Sequence, residues 1–269
     1  MLFAAPISFS EALASRKVKA LLPTTANSAE LMNLSAALRE RGSFSATIDR
    51  AEILQGLDDI TSQIIEGDFT IAKGKTLMGE FLQDNGYTAA LEDAGTIKDL
   101  TSDARKTVKL QTDTDMALGF GFFQQGQDPV LLDEYPCWEL FRLEARKQPR
   151  DWINRWIAAG GKLYDGRMIA RKDDPIWTRL GPFEQPYPPF DFNSGMWTRN
   201  VARQECIDLG VIEPDTQVQP QQREFNDGLQ ATPAVRSQAL REAIVTEAGD
   251  QFFFDGDVLK LRPNVGGLN

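Results

Sequence analysis

The stretch DDPIWTRLGPFEQPYPPFDF, residues 173 to 192, decides how the second half of the chain folds. Prolines alternate here with large rings, among them Trp177, Tyr187 and Phe190. Proline fixes φ and removes a backbone donor, so neither a long helix nor a central strand is expected. The rings nevertheless offer enough apolar surface to pack. We therefore expect residues 161 to 200 to be mostly irregular, as an ordered loop held against the core.

Two short elements are predicted just before this loop. WELFRLE, residues 138 to 144, alternates in the manner of a β-strand. Pro149 and Asp151 suit the first turn of the following helix, in which Trp152 and Trp156 are four residues apart and share one face.

A long helix is expected from about Ser102 to Gly126, followed by a short one that starts at Asp128-Pro129. The long helix contains Gly119 and Gly121. Because glycine costs about 1 kcal/mol inside a helix, its presence indicates that another element packs closely there.

The first hundred residues predict a helical unit. Residues 1 to 27 are expected to form either an extended arm or a loosely ordered terminus. Residues 28 to 97 are expected to hold three amphipathic helices with short, glycine-bearing connections. The first starts at Ser28 and stops at Gly42, the second runs from about Asp49 to Gly67, and the third runs from Thr70 to Gly86.

The C-terminal residues 213 to 269 are expected to hold a linker, a helix that opens at Thr232-Pro233 and stops at Gly249, and a β-hairpin. The hairpin is predicted from FFFDGDVLKL, where two apolar runs flank Asp255-Gly256. The fold class that follows is mainly α, with a smaller α+β region toward the C-terminus.

The composition of the chain argues against several classes of function. The chain has 269 residues and a formal net charge of -10, which argues against a general nucleic-acid binder. It has no histidine, so a Ser-His-Asp or Cys-His arrangement and any imidazole metal ligand are excluded. Cys137 and Cys206 favour a reduced compartment, and we expect a chain made in the cytoplasm without signal peptide or membrane span.

Three features suggest chemistry and are better explained as structure. AKGKT, residues 72 to 76, has six residues between Gly67 and Gly74, where a phosphate loop has four, and it lies in a predicted helix. Two acidic pairs could act as acid and base or hold Mg²⁺, but one pair diverges on a helix and the other suits a turn. These pairs are Asp113 with Asp115 and Asp173 with Asp174.

The third feature is a basic-aromatic cluster that could stack on and neutralise nucleic acid. It comprises Arg142, Arg146, Lys147, Arg150, Arg155, Trp152 and Trp156. The interpretation that we favour is that the two tryptophans are core residues, while the arginines pair with Glu139, Glu144 and Asp151.

The order of these features over residues 100 to 196 resembles the Mu F-like phage head morphogenesis family, whose members are minor head proteins. The family pattern has a threonine-bearing helix with glycine, a strand with proline and an aromatic residue, an Asp-Asp-Pro-Ile/Phe-Trp motif and a Pro-Pro segment. Its counterparts here are LQTDTDMALGFG, YPCWELFRLEARKQPRDW, GGKLYDGRMIARKDDPIW and YPPFDFNSGM. Residues 28 to 95 also look like the N-terminal part of such proteins.

The chain departs from the family at two places. The family pattern also has an Asp-x-x-Thr-Arg-Pro-x-His segment, whose histidine is missing here. The Cys-x-Cys that closes the family's Pro-Pro segment is replaced by Asn193-Ser194-Gly195-Met196. If those residues hold a metal in relatives, this chain has lost it, and packing of Phe190, Phe192 and Trp197 is expected to replace it.

The resemblance implies a Mu F-like domain over residues 98 to 212 and a structural, non-enzymatic role without cofactor. The chain would lie in the virion head, bound to the portal or the major capsid protein, with nonspecific contact to packaged DNA. The expected partner-contacting residues are Trp152, Trp156, Trp177, Tyr187, Phe190 and Phe192. The alternatives are a head-tail connector or other capsid-associated protein, and an enzyme delivered with the virion.

Overall fold

A computed structural model describes residues 50–221 without interruption, with shorter pieces at 12–13, 16, 20–21, 42–43, 48, 230–231, 238, 242, 245–246, 252–256 and 258–261. The chain divides into two compact units. Unit 1 comprises Met1–Ala117 and Glu224–Asn269, and unit 2 comprises Leu118–Arg223.

Unit 1 is built around two helices that pack against each other, α1 (Ala51–Glu66) and α2 (Ile71–Asp84). Gly67 ends α1 in the left-handed conformation, with φ 86°, and the Thr70 side chain accepts a hydrogen bond from the Lys73 N–H to begin α2. Both helices were predicted from these start and stop residues, and both predictions are confirmed. Their facing sides form an apolar core that includes Leu54, Leu57, Met78 and Leu82.

The long helix α3 (Asp103–Gln125) is also confirmed, and its residues up to Ala117 belong to unit 1. Unit 1 holds two small sheets as well. Strands β1 (Ala20–Leu21) and β2 (Gly42–Ser43) pair in parallel. In the other sheet, β9 (Val258–Leu261) lies between β8 (Phe252–Asp255) and β7 (Gln230–Ala231). The pairing of β8 with β9 confirms the hairpin predicted around Asp255-Gly256.

Unit 2 contains a four-stranded antiparallel sheet with the order β4-β5-β3-β6. Its strands are β3 (Cys137–Arg142), β4 (Leu163–Tyr164), β5 (Arg167–Arg171) and β6 (Met196–Val201). Strand β3 is central and follows the predicted WELFRLE segment closely. Strand β6 pairs with β3 along its whole length, from Arg142 opposite Met196 to Cys137 opposite Val201.

Helices cover the sheet of unit 2. They are α4 (Pro129–Glu134), α5 (Trp152–Ala158), α6 (Ile176–Arg179) and α7 (Arg203–Asp208), together with the end of α3. Asp128 and Asp151 accept hydrogen bonds from the first turns of α4 and α5, which confirms both predicted helix starts. Trp138 of β3 contacts rings of α3 and α6, whereas Cys137 packs with Cys206 of α7. The structure is therefore a mixed α+β fold.

The expectation that residues 161 to 200 are mostly irregular is confirmed, although sixteen of these forty residues lie in β4, β5, α6 and β6. Strands β4 and β5 form a hairpin whose turn is Asp165-Gly166, both residues having positive φ, at 50° and 75°. This is the same dipeptide that predicted the C-terminal hairpin, and it fits a two-residue turn that requires positive φ twice. The longest irregular piece is residues 180–195, which contain neither helix nor strand.

Some predicted elements lie outside the described residues. They are the arm over residues 1 to 27 apart from its few described positions, the helix from Ser28 to Gly42, and most of the helix after Thr232-Pro233. The predicted domain boundaries at 27, 97 and 212 stay predictions. Among the helices that the structure describes, none combines the length and the apolar character needed to cross a bilayer.

Candidate partner-binding site

Five of the six aromatic residues expected to contact a partner lie in the interior of unit 2. Trp177 and Trp156 are fully buried, and Trp152, Tyr187 and Phe190 are nearly so, whereas Phe192 is 41% exposed. A buried ring cannot offer its own atoms to a partner, so we correct the expectation for these five. Contact through Phe192 stays a prediction.

The buried rings share one core with Trp177 at its centre. The Trp177 ring lies 5.6 Å from that of Trp138, 5.5 Å from that of Trp156 and 6.1 Å from that of Phe190, measured between centroids. The contacts with Trp138 and Trp156 are edge-to-face, a geometry that brings the positive ring edge to the negative ring face. Strand β3, helix α5, helix α6 and the proline-rich loop (residues 180–195) therefore meet at a single side chain.

Main-chain carbonyls satisfy two of the buried indoles. Trp177 Nε1 donates to the Arg171 carbonyl at 2.7 Å, and Trp156 Nε1 donates to the Lys162 carbonyl at 2.8 Å. Each bond fixes a core ring to the strand or turn just before or after it. These tryptophans therefore determine the path of the backbone as well as filling the core.

The proline-rich loop approaches α3 very closely. A β-carbon added at Gly119 would lie 1.9 Å from the Pro188 carbonyl oxygen, so only glycine fits there. The Gln185 side-chain amide donates to the carbonyls of Tyr187 and Pro189, at 3.1 Å each, around the cis Pro188–Pro189 bond. The close packing predicted from the glycines in this helix is confirmed at Gly119.

An arginine cluster (Arg146, Arg150 and Arg155) holds the end of the loop. Arg155 and Arg150 both bind the Asp191 carboxylate, at 2.9 and 3.3 Å. Arg150 also donates to the Phe192 carbonyl at 2.9 Å, and Arg146 donates to the Asn193 carbonyl at 3.0 Å and pairs with Glu144. The arginines of the predicted basic-aromatic cluster are thus engaged with the protein itself, although Asp191 takes the place expected for Asp151.

This cluster binds the backbone next to Asn193-Ser194-Gly195-Met196, where packing of Phe190, Phe192 and Trp197 was expected. The structure adds hydrogen bonds to the backbone. Besides the arginine contacts, the N–H groups of Leu143 and Glu144 donate to the Gly195 carbonyl at 2.9 and 3.1 Å. Phe192 packs edge-to-face on Phe183, with 4.7 Å between ring centroids.

A buried carboxylate lies on the opposite face of the sheet. Glu139 of β3 binds Arg167 and Arg199 from the two neighbouring strands, and Arg199 Nε donates to it at 3.0 Å. Burial alone would raise the pKa of Glu139, but the hydrogen bonds from Arg167 and Arg199 outweigh it and the pKa is lowered. Glu139 was expected to pair within the basic-aromatic cluster. It instead joins three strands.

Lys172 is the largest departure from ordinary packing in unit 2. Its side chain is fully buried, and within the described residues its Nζ has no hydrogen-bond partner. The ammonium lies 5.5 Å from the centroid of the Trp138 ring, a cation–π contact. Burial lowers the pKa of Lys172 to about 8.

A surface cavity of about 290 Å³ follows the outer side of β6. Its walls come from the end of α3, from α4, from the proline-rich loop and from β6, and they include Phe122, Leu131, Pro188 and Trp197. Phe122 is 53% exposed and its ring lies edge-to-face on Trp197, with 5.9 Å between centroids. These two rings were not among the partner-contacting residues expected from the sequence, because the strand that places Trp197 falls in the segment expected to be mostly irregular.

The other candidate sites take the structural roles that the sequence favoured. AKGKT lies within α2, so it does not form a phosphate loop. Asp113 pairs with Lys109 at 2.7 Å, and Asp115 accepts from Gln111 at 2.8 Å. Asp173 pairs with Arg171 at 2.9 Å, and Asp174 accepts from the N–H of Ile176 at the start of α6.

Within the part of the chain that the structure describes, no three or more acidic or cysteine side chains are grouped so that they could hold a metal ion. Neither family models, nor curated proteins, nor solved structures gave a match to this chain.

Proposed function

We propose that this chain is a minor head protein of a tailed bacteriophage, present in few copies and bound to the portal or to the inner face of the capsid. In this proposal unit 2 carries the Mu F-like domain and acts as a rigid docking module. The role is one of assembly, with DNA packaging or ejection as the step that it assists.

One observation carries the proposal. The three segments that resemble the family, around Trp138, Trp177 and Phe190, lie 39 and 13 residues apart along the chain and touch one another at the Trp177 ring. The ordered motif therefore builds one core in this chain. Its use in packing favours a structural role over a chemical one.

The departures from the family pattern agree with this interpretation. Where relatives have Cys-x-Cys, this chain positions the same loop through Arg146 and Arg150. The loop is held by side chains of the protein, so the module needs no bound ion to keep its shape. We expect it to fold and bind its partner in the presence of a chelator.

The test is incorporation into particles. The tagged chain is produced together with the portal and major capsid proteins of its own genome, and assembled heads are isolated by density centrifugation. We expect the chain to sediment with heads in few copies, counted by quantitative mass spectrometry. Loss from heads made without portal would place it at the portal, and retention in such heads would place it at the inner face of the capsid.

Each other result points elsewhere. Hundreds of copies per head would indicate an exterior coat component, and enrichment on tails rather than heads would indicate a connector. Complete absence from particles would overturn the proposal. Turnover of a substrate by the purified chain would replace it with the enzyme alternative.

A further inference from the structure

The hydrogen-bonding direction of β6 can be worked out residue by residue. In an antiparallel pair, directly opposed residues alternate between those that exchange backbone hydrogen bonds and those that do not. The Leu143 N–H donates to the Gly195 carbonyl at 2.9 Å, and these two residues are opposite each other just beyond the end of the β3–β6 ladder. Because the pattern repeats every second residue, Trp197 and Arg199 also direct their backbone groups toward β3.

Thr198 and Asn200 must then direct their N–H and C=O groups away from the sheet. The pairing of β3 with β5 gives the same result. The Lys172 N–H donates to the Pro136 carbonyl at 2.9 Å, so the even-numbered residues of β3 direct their backbone N–H and C=O groups toward β5. The odd-numbered residues of β3 therefore direct theirs toward β6, which agrees with the pairing of Leu143 with Gly195. Within the described residues, the backbone groups of Thr198 and Asn200 receive no hydrogen bond from another strand.

These unpaired groups open into the cavity described above. Thr198 and Asn200 both line it, together with the exposed ring of Phe122 and the ring of Trp197. A free strand edge is a template for another extended chain, and natural proteins usually protect it with lysine, proline or a bulge. Strand β6, MWTRNV, is six residues long and has neither lysine nor proline. Its one charged residue, Arg199, pairs with Glu139 of the neighbouring strand β3, although its side chain is 56% exposed.

The chemistry of the lining identifies the occupant. Backbone donors and acceptors at alternate residues call for a second backbone at strand spacing. None of the side chains around the cavity is charged, so neither a phosphate backbone nor an acidic or basic peptide is complementary to it. The rings of Phe122 and Trp197 instead suit one large apolar side chain of the incoming segment.

We propose that the edge of β6 binds an extended, uncharged segment of another virion protein, which adds to the sheet as a fifth strand and inserts an apolar side chain between Phe122, Leu131 and Trp197. The identity of the donor as a virion protein rests on the proposed function. The strand-addition site itself rests on the geometry of unit 2.

Residue-resolved amide exchange of the full-length chain tests the edge first. We expect the N–H groups of Trp197 and Arg199 to be protected by β3, and those of Thr198 and Asn200 to exchange at least tenfold faster. Equal protection of all four at every protein concentration would mean that the chain covers its own edge. Protection that grows with concentration would mean that a second copy does. Both results would overturn the proposal.

The partner is sought with overlapping 15-residue peptides that tile the portal and major capsid proteins of the same genome. We expect at least one uncharged peptide with alternating apolar residues to bind and to protect the Thr198 and Asn200 amides. Its Kd should change less than about twofold between 0.05 and 0.5 M NaCl, whereas a nucleic-acid ligand would lose orders of magnitude. If no peptide binds, the proposal fails.

A matched pair of variants isolates the backbone contact. Thr198→Pro removes the outward N–H at a position where an edge strand tolerates proline, and Thr198→Ala removes the same side chain but keeps the N–H. We expect Thr198→Pro to weaken peptide binding at least tenfold and to be lost from heads, while Thr198→Ala stays within about threefold of wild type. Phe122→Asp changes an exposed ring and should also abolish peptide binding. It serves as the test if Thr198→Pro does not fold.

The two proposals fail in different ways. If wild-type chain enters heads and Thr198→Pro enters them equally well, the docking edge is wrong and the head-protein function stands. If wild-type chain does not enter heads, the function is wrong, and the exchange pattern of Thr198 and Asn200 still decides whether the edge is open.

Discussion

At the scale of single residues, Lys172 is the clearest case of a side chain that costs stability where it stands. A charge without a hydrogen-bonding partner in a buried site loses its hydration, and the neighbouring Trp138 ring returns only part of that loss. This cost appears as the lowered pKa of Lys172, about 8 against an ordinary value near 10.5. The cost of the buried charge to the free energy of unfolding therefore falls as the pH rises above about 8.

We expect Lys172→Met to stabilise unit 2 at pH 7 by about 1–2 kcal/mol, because it keeps the packing and removes the buried charge. Between pH 8 and 10.5 the unfolded wild type holds a proton that the folded wild type has lost. Raising the pH therefore favours folded wild type, and the advantage of the variant should shrink between pH 7 and 9.5.

Urea unfolding of both proteins at pH 7, 8.5 and 9.5, followed by tryptophan fluorescence, measures this difference. The pKa of Cys137 is raised by its hydrogen bond to Cys206 and by burial, so its ionisation in the unfolded state destabilises both proteins as the pH rises. The difference between the two curves reports Lys172 together with its electrostatic interaction with the two cysteines. A variant that is less stable than wild type at pH 7 would show that Lys172 has a partner that compensates its charge.

Gly119 is the residue at which a single methyl group matters most. Gly119→Ala would place its β-carbon 1.9 Å from a backbone oxygen, which cannot rotate away, so the proline-rich loop must move. We expect a loss of about 2–3 kcal/mol in the free energy of unfolding of unit 2. Gly79→Ala is the control, since its nearest neighbour is a lysine Nζ at 3.5 Å, and it should stabilise its helix by about 0.5–1 kcal/mol.

At the scale of elements, the end of the proline-rich loop depends on one carboxylate shared by two arginines. Asp191 is buried, and Arg150 and Arg155 that bind it are partly exposed. Because solvent screens the arginines, we expect Asp191→Asn to cost about 1–2 kcal/mol, less than a fully buried pair would. Asp173→Asn breaks an exposed pair two residues apart and should cost less than about 0.5 kcal/mol.

Two quantities are measured, the rate of proteolytic cleavage near Phe192 and the free energy of unfolding. If the arginine cluster positions the loop, limited proteolysis at residues 192 to 195 should be faster in Asp191→Asn than in Asp173→Asn, under conditions where both are folded. Equal cleavage rates in the two variants would mean that ring packing alone holds this part of the loop.

Helices were predictable from local signals, and strands only in part. Thr70, Gly67, Asp128 and Asp151 each act on the backbone of their own helix, so the capping residue and the boundary are read from the same few positions. Strand β5 was missed although the Asp165-Gly166 turn before it carries a hairpin signal. The nearby prolines were given more weight than that dipeptide.

Strand β6 and the site built on it could not be derived locally. MWTRNV shows no alternation between apolar and polar residues, because β6 is an edge strand that is buried at its two ends and open between them. Its position is set by pairing with β3, about sixty residues earlier in the chain. The same tertiary context reversed the expected role of the tryptophans, since spacing shows that two rings share a face and does not show whether that face is covered.

At the scale of the whole molecule, charge and aromatic content are divided unequally between the units. All five tryptophans, at positions 138, 152, 156, 177 and 197, belong to unit 2. Unit 2 has 13 Lys and Arg against 15 Asp and Glu, so unit 1 carries most of the net charge of -10. Tryptophan fluorescence therefore reports unit 2, and the net negative charge acts chiefly on unit 1.

This division predicts how the chain responds to salt and denaturant. Like charges in unit 1 repel one another in the compact state, and salt screens that repulsion. Raising NaCl from 0.05 to 0.5 M should move the urea midpoint seen by far-UV circular dichroism, which includes helices α1 and α2, to higher urea. The fluorescence midpoint should change little.

Gly119→Ala tests the other unit, because it should lower the fluorescence midpoint at both salt concentrations. Coincident midpoints under all these conditions would mean that the two units unfold as one cooperative structure, and the charge of unit 1 would then act on the stability of the tryptophan core as well.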